Sequence, residues 1–352
     1  MTHGLEGIGH MEHKKISRVL GTFIASCVLL VGAGRTSAVV NIEFVTVGDV
    51  GNMPDTTGYG SVNYAYNIGK YEVTAGQYTE FLNAVAKTDT YNLFTSTMSN
   101  INYGCGITQT GSIGSFTYNV APSFVNRPVC YVSYWDACRF TNWLQNGQPT
   151  GAQDANTTES GAYTLSSTGI ANNSIIRNTV WQYAVTSENE WYKAAYYKSG
   201  STNAGYWLYP TSSDTTPGYD INDLSGNNAN YYPSGYPPLQ SGQYLPTTVV
   251  GTFSNSASPY GTFDQGGNVW EWDETIPSTG GGHGRRGGSW YGDTPAWHHF
   301  DTMLSHDRYF GPLTLGEGVG FRVVEAVPEP TSVGLFGLGV IGMLMRRKAV
   351  AN

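Results

Sequence analysis

Three short stretches announce helices, and little else in the chain announces regular structure. Each is a capping box, in which a Ser or Thr and the residue three places on satisfy exposed backbone N–H groups at a first helical turn. The first is Thr74-Ala75-Gly76-Gln77, followed by Tyr78, Phe81, Leu82 and Val85 on one face. The second is Ser133-Tyr134-Trp135-Asp136, followed by Ala137, Phe140 and Leu144. The third is Ser187-Glu188-Asn189-Glu190, followed by Trp191, Ala194 and Ala195. The acidic residues of these boxes read as caps before they read as catalysts. Strand-like runs lie at Ile42 to Val47, Val129 to Val132 and Phe321 to Val324. The stretches 88–128, 145–180 and 199–258 are rich in Gly, Ser, Thr, Asn and Pro and read as irregular loops. So much loop is unusual in a compact domain. A fold that accepts it must pin the loops to a core, a task suited to the 25 Tyr and 9 Trp. Residues 39–326 contain no internal repeat and no clean linker, and read as one domain.

Only 12% of the chain is charged, and its net charge of −8 provides no basic footprint for nucleic acid. Both ends carry targeting patterns. Lys14, Lys15 and Arg18 precede an apolar stretch, Val19 to Gly34, and Thr36-Ser37-Ala38 supplies small residues for a signal peptidase. Residues 1–38 therefore read as a signal peptide, with Met11 as an alternative start. Ile24-Ala25-Ser26-Cys27 also fits a lipoprotein box, although the apolar run continues past Cys27. At the other end, Pro328-Glu329-Pro330 precedes an apolar run, Val333 to Met345, and then Arg346-Arg347-Lys348. That run is short of the roughly 20 residues that span a bilayer, and the basic cluster favours the cytoplasmic side. The order within residues 327–352 resembles the PEP-CTERM sorting signal of Gram-negative bacteria. The resemblance implies an exosortase-type protease as partner, transient membrane association through the tail, and delivery to the cell surface or extracellular matrix.

Cys27 lies in the leader, which leaves Cys105, Cys130 and Cys138 in the body. Export permits disulfides, but three thiols in one chain cannot all pair. No CxxC pair or companion histidine supports zinc.

The segments KYEVTAGQYTEFLNAV (70–85), RPVCYVSYWDACRFTNWL (127–144), SENEWYKAAYY (187–197), GGNVWEW (266–272), RRGGSW (285–290) and GFRVV (320–324) occur in this order. Together they resemble the formylglycine-generating enzyme, or sulfatase-modifying factor, family over roughly residues 41–325. The resemblance implies an α+β fold related to C-type lectin-like domains, with low regular secondary structure and long loops. Active relatives oxidise a protein cysteine to formylglycine with O₂ and a copper ion held by two cysteines. Carried onto this chain, those cysteines fall at Gly292 and Trp297, which cannot supply the soft thiolates that Cu(I) prefers. Copper is therefore not expected, and the chain reads as a pseudoenzyme acting as a ligand-binding or structural component of the cell surface or extracellular matrix. The alternative is a formylglycine-generating-type oxidoreductase acting on protein cysteine with a displaced thiol site. The resemblance also implies calcium at the Asp264 side chain, the Gly267 and Val269 carbonyls and the Glu271 side chain, hard oxygen donors that suit this ion. A second family site would start at Asn230 and the Tyr231 carbonyl, but its aspartate falls near Gly242.

The stretch from His283 to Arg308 holds His283, His298, His299 and His306 among several aspartates. It contains no HxH, HxxxH or HExxH spacing and no GxSxG around Ser289 or Ser305, which argues against a metal or hydrolytic centre. In the resembled fold, this segment lines a substrate groove. Tyr291, Trp297, His298, His299, Phe300 and Arg308 then become candidates for binding a glycan or peptide, since aromatic faces beside polar groups suit both. Trp290 is expected to pack the fold.

Overall fold

In the computed structural model, the residues described are 39–231, 247–277, 281–290, 303–305, 308–311 and 318–327. All three capping boxes form. Thr74 Oγ1 accepts from Gln77 N at 3.2 Å while Gln77 Oε1 accepts from Thr74 N at 2.9 Å, opening α1, Ala75–Val85. Ser133 and Asp136 do the same for α2, Tyr134–Gln145, with Asp136 Oδ2 accepting from Ser133 N at 2.8 Å. A five-residue helix, α3 (Ser167–Ala171), lies inside a stretch that reads as loop, and Ser166 caps it. Ser187 and Glu190 open α4, Glu188–Tyr196.

The strands are three or four residues long, except one of two, and their partners are distant in sequence. β1 (Phe44–Val47), β2 (Tyr66–Gly69), β5 (Tyr183–Val185) and β10 (Val323–Ala326) make one antiparallel sheet in the order β1-β2-β10-β5. Its register sets Val324 opposite both Ile68 and Ala184. β3 (Ile107–Thr110) and β4 (Thr117–Val120) form a separate hairpin. β6 (Trp270–Trp272), β7 (His283–Arg286), β8 (Tyr309–Gly311) and β9 (Val319–Gly320) make a second sheet in the order β8-β7-β6-β9. Its β6–β9 pair is parallel. Val129 to Val132, expected to be a strand, is not one. Tyr131 has φ of 61°, in the left-handed region that breaks an extended run, and only the bridge Thr74↔Pro128 survives beside it.

An aromatic core joins the helices to the first sheet. Phe140 meets Phe81 edge-on with ring centres 5.4 Å apart, and Phe321 at 5.3 Å. Each such pair adds about 0.5–1.5 kcal/mol beyond its buried area. Tyrosine hydroxyls then fasten loop backbone to this core. Tyr78 donates to the Leu93 carbonyl at 3.0 Å, Tyr118 to Ala86 at 2.8 Å, Tyr206 to Met53 at 2.8 Å and Tyr231 to Pro217 at 2.6 Å. The ring supplies apolar burial and the hydroxyl satisfies a carbonyl that a strand would otherwise engage. This is how a tyrosine-rich chain holds long loops with little regular structure.

The capping boxes give a direct test of local folding. Ser133→Ala removes one cap and should lower stability by about 1 kcal/mol. Urea unfolding should show a lower midpoint at unchanged slope, with Ser133→Asp largely restoring it.

Candidate functional site

The RRGGSW segment builds the site by strand alternation. On β7, Arg285 and Arg286 point to opposite faces of the second sheet. Arg286 faces α4. Its Nε and Nη2 reach Glu188 Oε1 at 2.9 and 2.7 Å, and its Nη1 donates to the Ser305 carbonyl at 3.1 Å. Its guanidinium lies over the rings of Tyr59 at 5.1 Å and Tyr192 at 4.9 Å. Arg308 joins the same cluster, with Nε 3.1 Å from Glu188 Oε1, its guanidinium 4.9 Å from the Tyr59 ring centre and a hydrogen bond to the Tyr59 hydroxyl. Glu188 Oε2 accepts from Thr275 Oγ1 at 2.9 Å. Glu188 is thus no cap; only Glu190 closes the box, and Glu188 is the anion that gathers two arginines. Nearby Asp273 is pushed up to about 7 by burial and by the Glu188 charge.

On the other face, Arg285 lies over Trp270 at 5.3 Å, and Trp270 meets Tyr309 at 5.0 Å. His283, two places before Arg285, turns inward on this face. It stacks on Tyr134 with ring centres 3.4 Å apart, and its Nε2 lies 2.9 Å from Asn173 Oδ1. Burial pushes its imidazole down to about 4, so it is neutral at physiological pH. One of the four histidines in the window is therefore a core residue.

Beneath the cluster, Glu271 of β6 and Arg322 form an ion pair with neither side chain exposed. Arg322 Nη2 lies 2.8 Å from Glu271 Oε1 and Nε 3.0 Å from Oε2. Trp191 Nε1 donates to the same Oε2 at 2.8 Å. Arg322 also donates to the Gly69 and Phe263 carbonyls, both at 2.8 Å. Two glycines allow the close approaches around this pair. At Gly267 a Cβ would come within 2.3 Å of the Asn230 carbonyl, and at Gly287 within 2.7 Å of the Gln265 carbonyl, both at positive φ.

This geometry decides whether the mapped calcium donors fit an ion. Glu271 spends both oxygens on a guanidinium and an indole. Asp264 Oδ2 accepts from Gly251 N at 2.6 Å, and the Asn230 carbonyl accepts from Asn268 N at 2.7 Å. A buried guanidinium at the centre opposes a cation, so the set does not fit calcium in this arrangement. Among the described residues, no three His, Cys, Asp or Glu side chains are placed to hold a metal ion. Glu72, beside this pair, is buried with neither carboxylate oxygen hydrogen-bonded. Burial, then the neighbouring Asp264, pushes its carboxyl well above the usual range.

The sequence matches the sulfatase-modifying factor enzyme 1-like domain over residues 53–327. The chain belongs to that family. Residues 326–348 match the PEP-CTERM protein-sorting motif, which marks this family member for export, surface sorting and recognition by exosortase machinery. No match is found among curated proteins. Solved structures similar to this one include Treponema denticola variable protein 1, at 18% identity and TM-score 0.45, covering 82% of this chain and 97% of that one. CarF is similar at 20% identity and TM-score 0.46, covering 82% and 99%. PvdO from Pseudomonas aeruginosa is similar at 16% and TM-score 0.42, covering 82% and 92%. The family's α+β architecture is what the two small sheets, the hairpin and the helices display.

Of the groove residues expected in this family member, Arg308 is placed, in the Glu188 cluster. Tyr291, Trp297, His298, His299, Phe300 and Gly292 lie outside the described residues, as do Pro328, Glu329, Pro330, Arg346 and Arg347. Trp290 and Met303, the described residues on either side of 291–302 in sequence, are buried. Trp290 packs the fold as expected, donating its backbone N–H to Asn268 at 3.0 Å. No helix among the described residues is long and apolar enough to cross a membrane. Sequence reasoning missed Tyr59, Glu188 and Arg286. The paired arginines of a strand were a signal for Arg286, whereas nothing local marked Tyr59.

His283 gives a pH test with a defined sign. Its folded value, about 4, lies below the unfolded value near 6.5, so its contribution is present above pH 6.5 and is lost as pH falls towards 4. Wild-type protein should lose about 2–3 kcal/mol more than His283→Gln between pH 7.5 and 4, read from urea midpoints. Parallel profiles would contradict a neutral, buried His283.

Proposed function

We propose that this exported family member lacks formylglycine-generating oxidase activity and binds a matrix or surface glycan through the cluster of Tyr59 and Arg308. The observation that carries the first half is the chain's thiol inventory. The family resemblance puts the two copper-binding cysteines at Gly292 and Trp297, and Cys105, Cys130 and Cys138 are all buried, at 1%, 0% and 0% exposure. A thiolate that activates copper and meets a substrate cysteine must be reachable from solvent. Thiols sealed in the core supply neither function.

The second half is supported by half-buried Tyr59, with Arg308 beside its ring on the Arg286 face of the second sheet; half-buried Trp270 and Tyr309, with Arg285 over Trp270, make a separate aromatic cluster on the opposite face. Rings offer flat apolar area to a sugar face, and guanidinium groups beside them offer hydrogen bonds in fixed directions. Trp297, His298, His299 and Phe300 of the adjoining segment extend that chemistry in sequence. Surface delivery by the sorting tail puts such a face in contact with exported polysaccharide. Residues 39–326 would form the working domain, with 1–38 removed on export and 327–352 holding the protein at the membrane until cleavage.

Incubation with Cu(I), O₂ and a sulfatase-type cysteine peptide should give no aldehyde, and aldehyde formation would overturn the reading. On matrix polysaccharide, Arg308→Ala and Trp297→Ala should each weaken binding about tenfold, equivalent to roughly 1.4 kcal/mol, at unchanged melting temperature. Equal retention of both variants and wild type would remove the binding face.

A further inference from the structure

Cys105 and Cys130 stand at the two ends of one excursion of the chain. It leaves the core after the 3-10 turn Ser96–Ser99, runs through β3 and β4 and returns at Pro128. The backbone N–H of Cys105 donates to the Met98 carbonyl at 3.1 Å, and that of Ala121 to Gly106 at 2.9 Å, which closes the hairpin directly beside the first thiol. Cys105 Sγ reaches the Cys130 carbonyl at 3.6 Å, and Cys130 Sγ reaches the Tyr103 carbonyl at 4.0 Å. The two thiols also contact each other. Burial alone would raise the Cys105 thiol, but that contact and neighbouring backbone groups bring it below the usual range. Cys138 differs. It sits on α2, where its thiol meets the Tyr134 side chain and burial pushes it well above the usual thiol range.

Two buried thiols in contact, in a protein marked for export, satisfy the requirements of proximity and compartment for a cross-link. We propose that Cys105 and Cys130 are joined by a disulfide in the exported protein. The inference rests on export and not on the proposed glycan face, so the two can fail separately.

The oxidant is a dithiol–disulfide oxidoreductase of the exported compartment. One cysteine thiolate attacks a sulfur of the oxidant's disulfide and displaces the other sulfur, giving a mixed disulfide. The second cysteine thiolate then attacks the protein sulfur of that intermediate. This forms the Cys105–Cys130 bond and releases the oxidant as a dithiol, which carries away two electrons and takes up two protons as the two protein thiols lose theirs. Both sulfurs are sealed in the folded domain, so the exchange belongs to the stage when the hairpin is still open.

The cross-link closes a loop whose ends are 25 residues apart. Asn83 of α1 reaches into it: its Nδ2 donates to the Tyr118 carbonyl at 2.9 Å and Tyr118 N donates back to Asn83 Oδ1 at 2.9 Å, tying the hairpin to α1. The disulfide would keep this docked hairpin from opening during life outside the cytoplasm.

Differential alkylation of the full chain, purified from a bacterial periplasm without reductant, tests the proposal. Denatured protein is tagged, reduced and tagged again, and the peptides are mapped by mass. Cys138 should carry the first tag, and Cys105 and Cys130 the second, with a linked peptide containing both before reduction. A first tag on Cys105 and Cys130, or a link that includes Cys138, overturns it. Reductant should also lower the melting temperature of wild type and of Cys138→Ala by roughly 5–10 °C. It should leave the Cys105→Ala/Cys130→Ala double variant unmoved. An equal shift in that double variant would likewise count against the cross-link.

Discussion

The buried pair of Arg322 and Glu271 is the contact on which the other parts of the domain converge. Arg322 stands between β9 and β10, Glu271 on β6, and their hydrogen bonds extend to Gly69 at the end of β2, to Phe263 and to Trp191 of α4. One guanidinium thus links the two sheets, and one carboxylate links the second sheet to a helix. Burying two charges costs several kcal/mol per ion before pairing, and good geometry must return it. Here the return is visible in the fork: two bonds to the carboxylate and two to backbone carbonyls leave little of the guanidinium unsatisfied. Glu72, buried beside the pair, has its carboxyl pushed well above the usual range by burial and by Asp264.

This constraint also shapes what the site can do. A carboxylate committed to Arg322 is not turned to a cation, so the GNVWEW segment serves this chain as scaffold. The scaffold positions β7, and β7 sends Arg286 to one face and Arg285 to the other. Around Arg286, Glu188 and Arg308 make a charged cluster roofed by Tyr59 and Tyr192. Around Arg285, Trp270 and Tyr309 make an aromatic one. In sequence, residues 291–302 after the GGSW motif carry aromatic residues and histidines and no cysteine.

Much of the domain was legible in sequence where the signal was local. The three capping boxes gave the starts of α1, α2 and α4 to the residue, because a cap is set by side chains three positions apart. The ordered motifs gave the family and, with it, the α+β class. Sheet topology was not legible. β10 pairs with β2 and β5 across most of the chain, and strands of three or four residues are too short to show a period. Val129 to Val132 misled because its apolar, β-branched residues look like a strand, while Tyr131 adopts a backbone conformation that no side-chain pattern reveals. Glu188 misled differently: it sits inside a capping box, yet its neighbours in space, Arg286 and Arg308, are about a hundred residues away. His283 looked like one of a histidine cluster until packing on Tyr134 placed it in the core.

The claim that one buried pair joins the sheets is tested most directly by a double-mutant cycle on Glu271 and Arg322, read by urea unfolding. Glu271→Gln and Arg322→Met should each cost about 3–5 kcal/mol, because each strands its partner in the core. The double variant should cost clearly less than their sum, with a coupling of about 2 kcal/mol or more. Additive losses, or single losses below about 1 kcal/mol, the size of an exposed pair, would contradict the account.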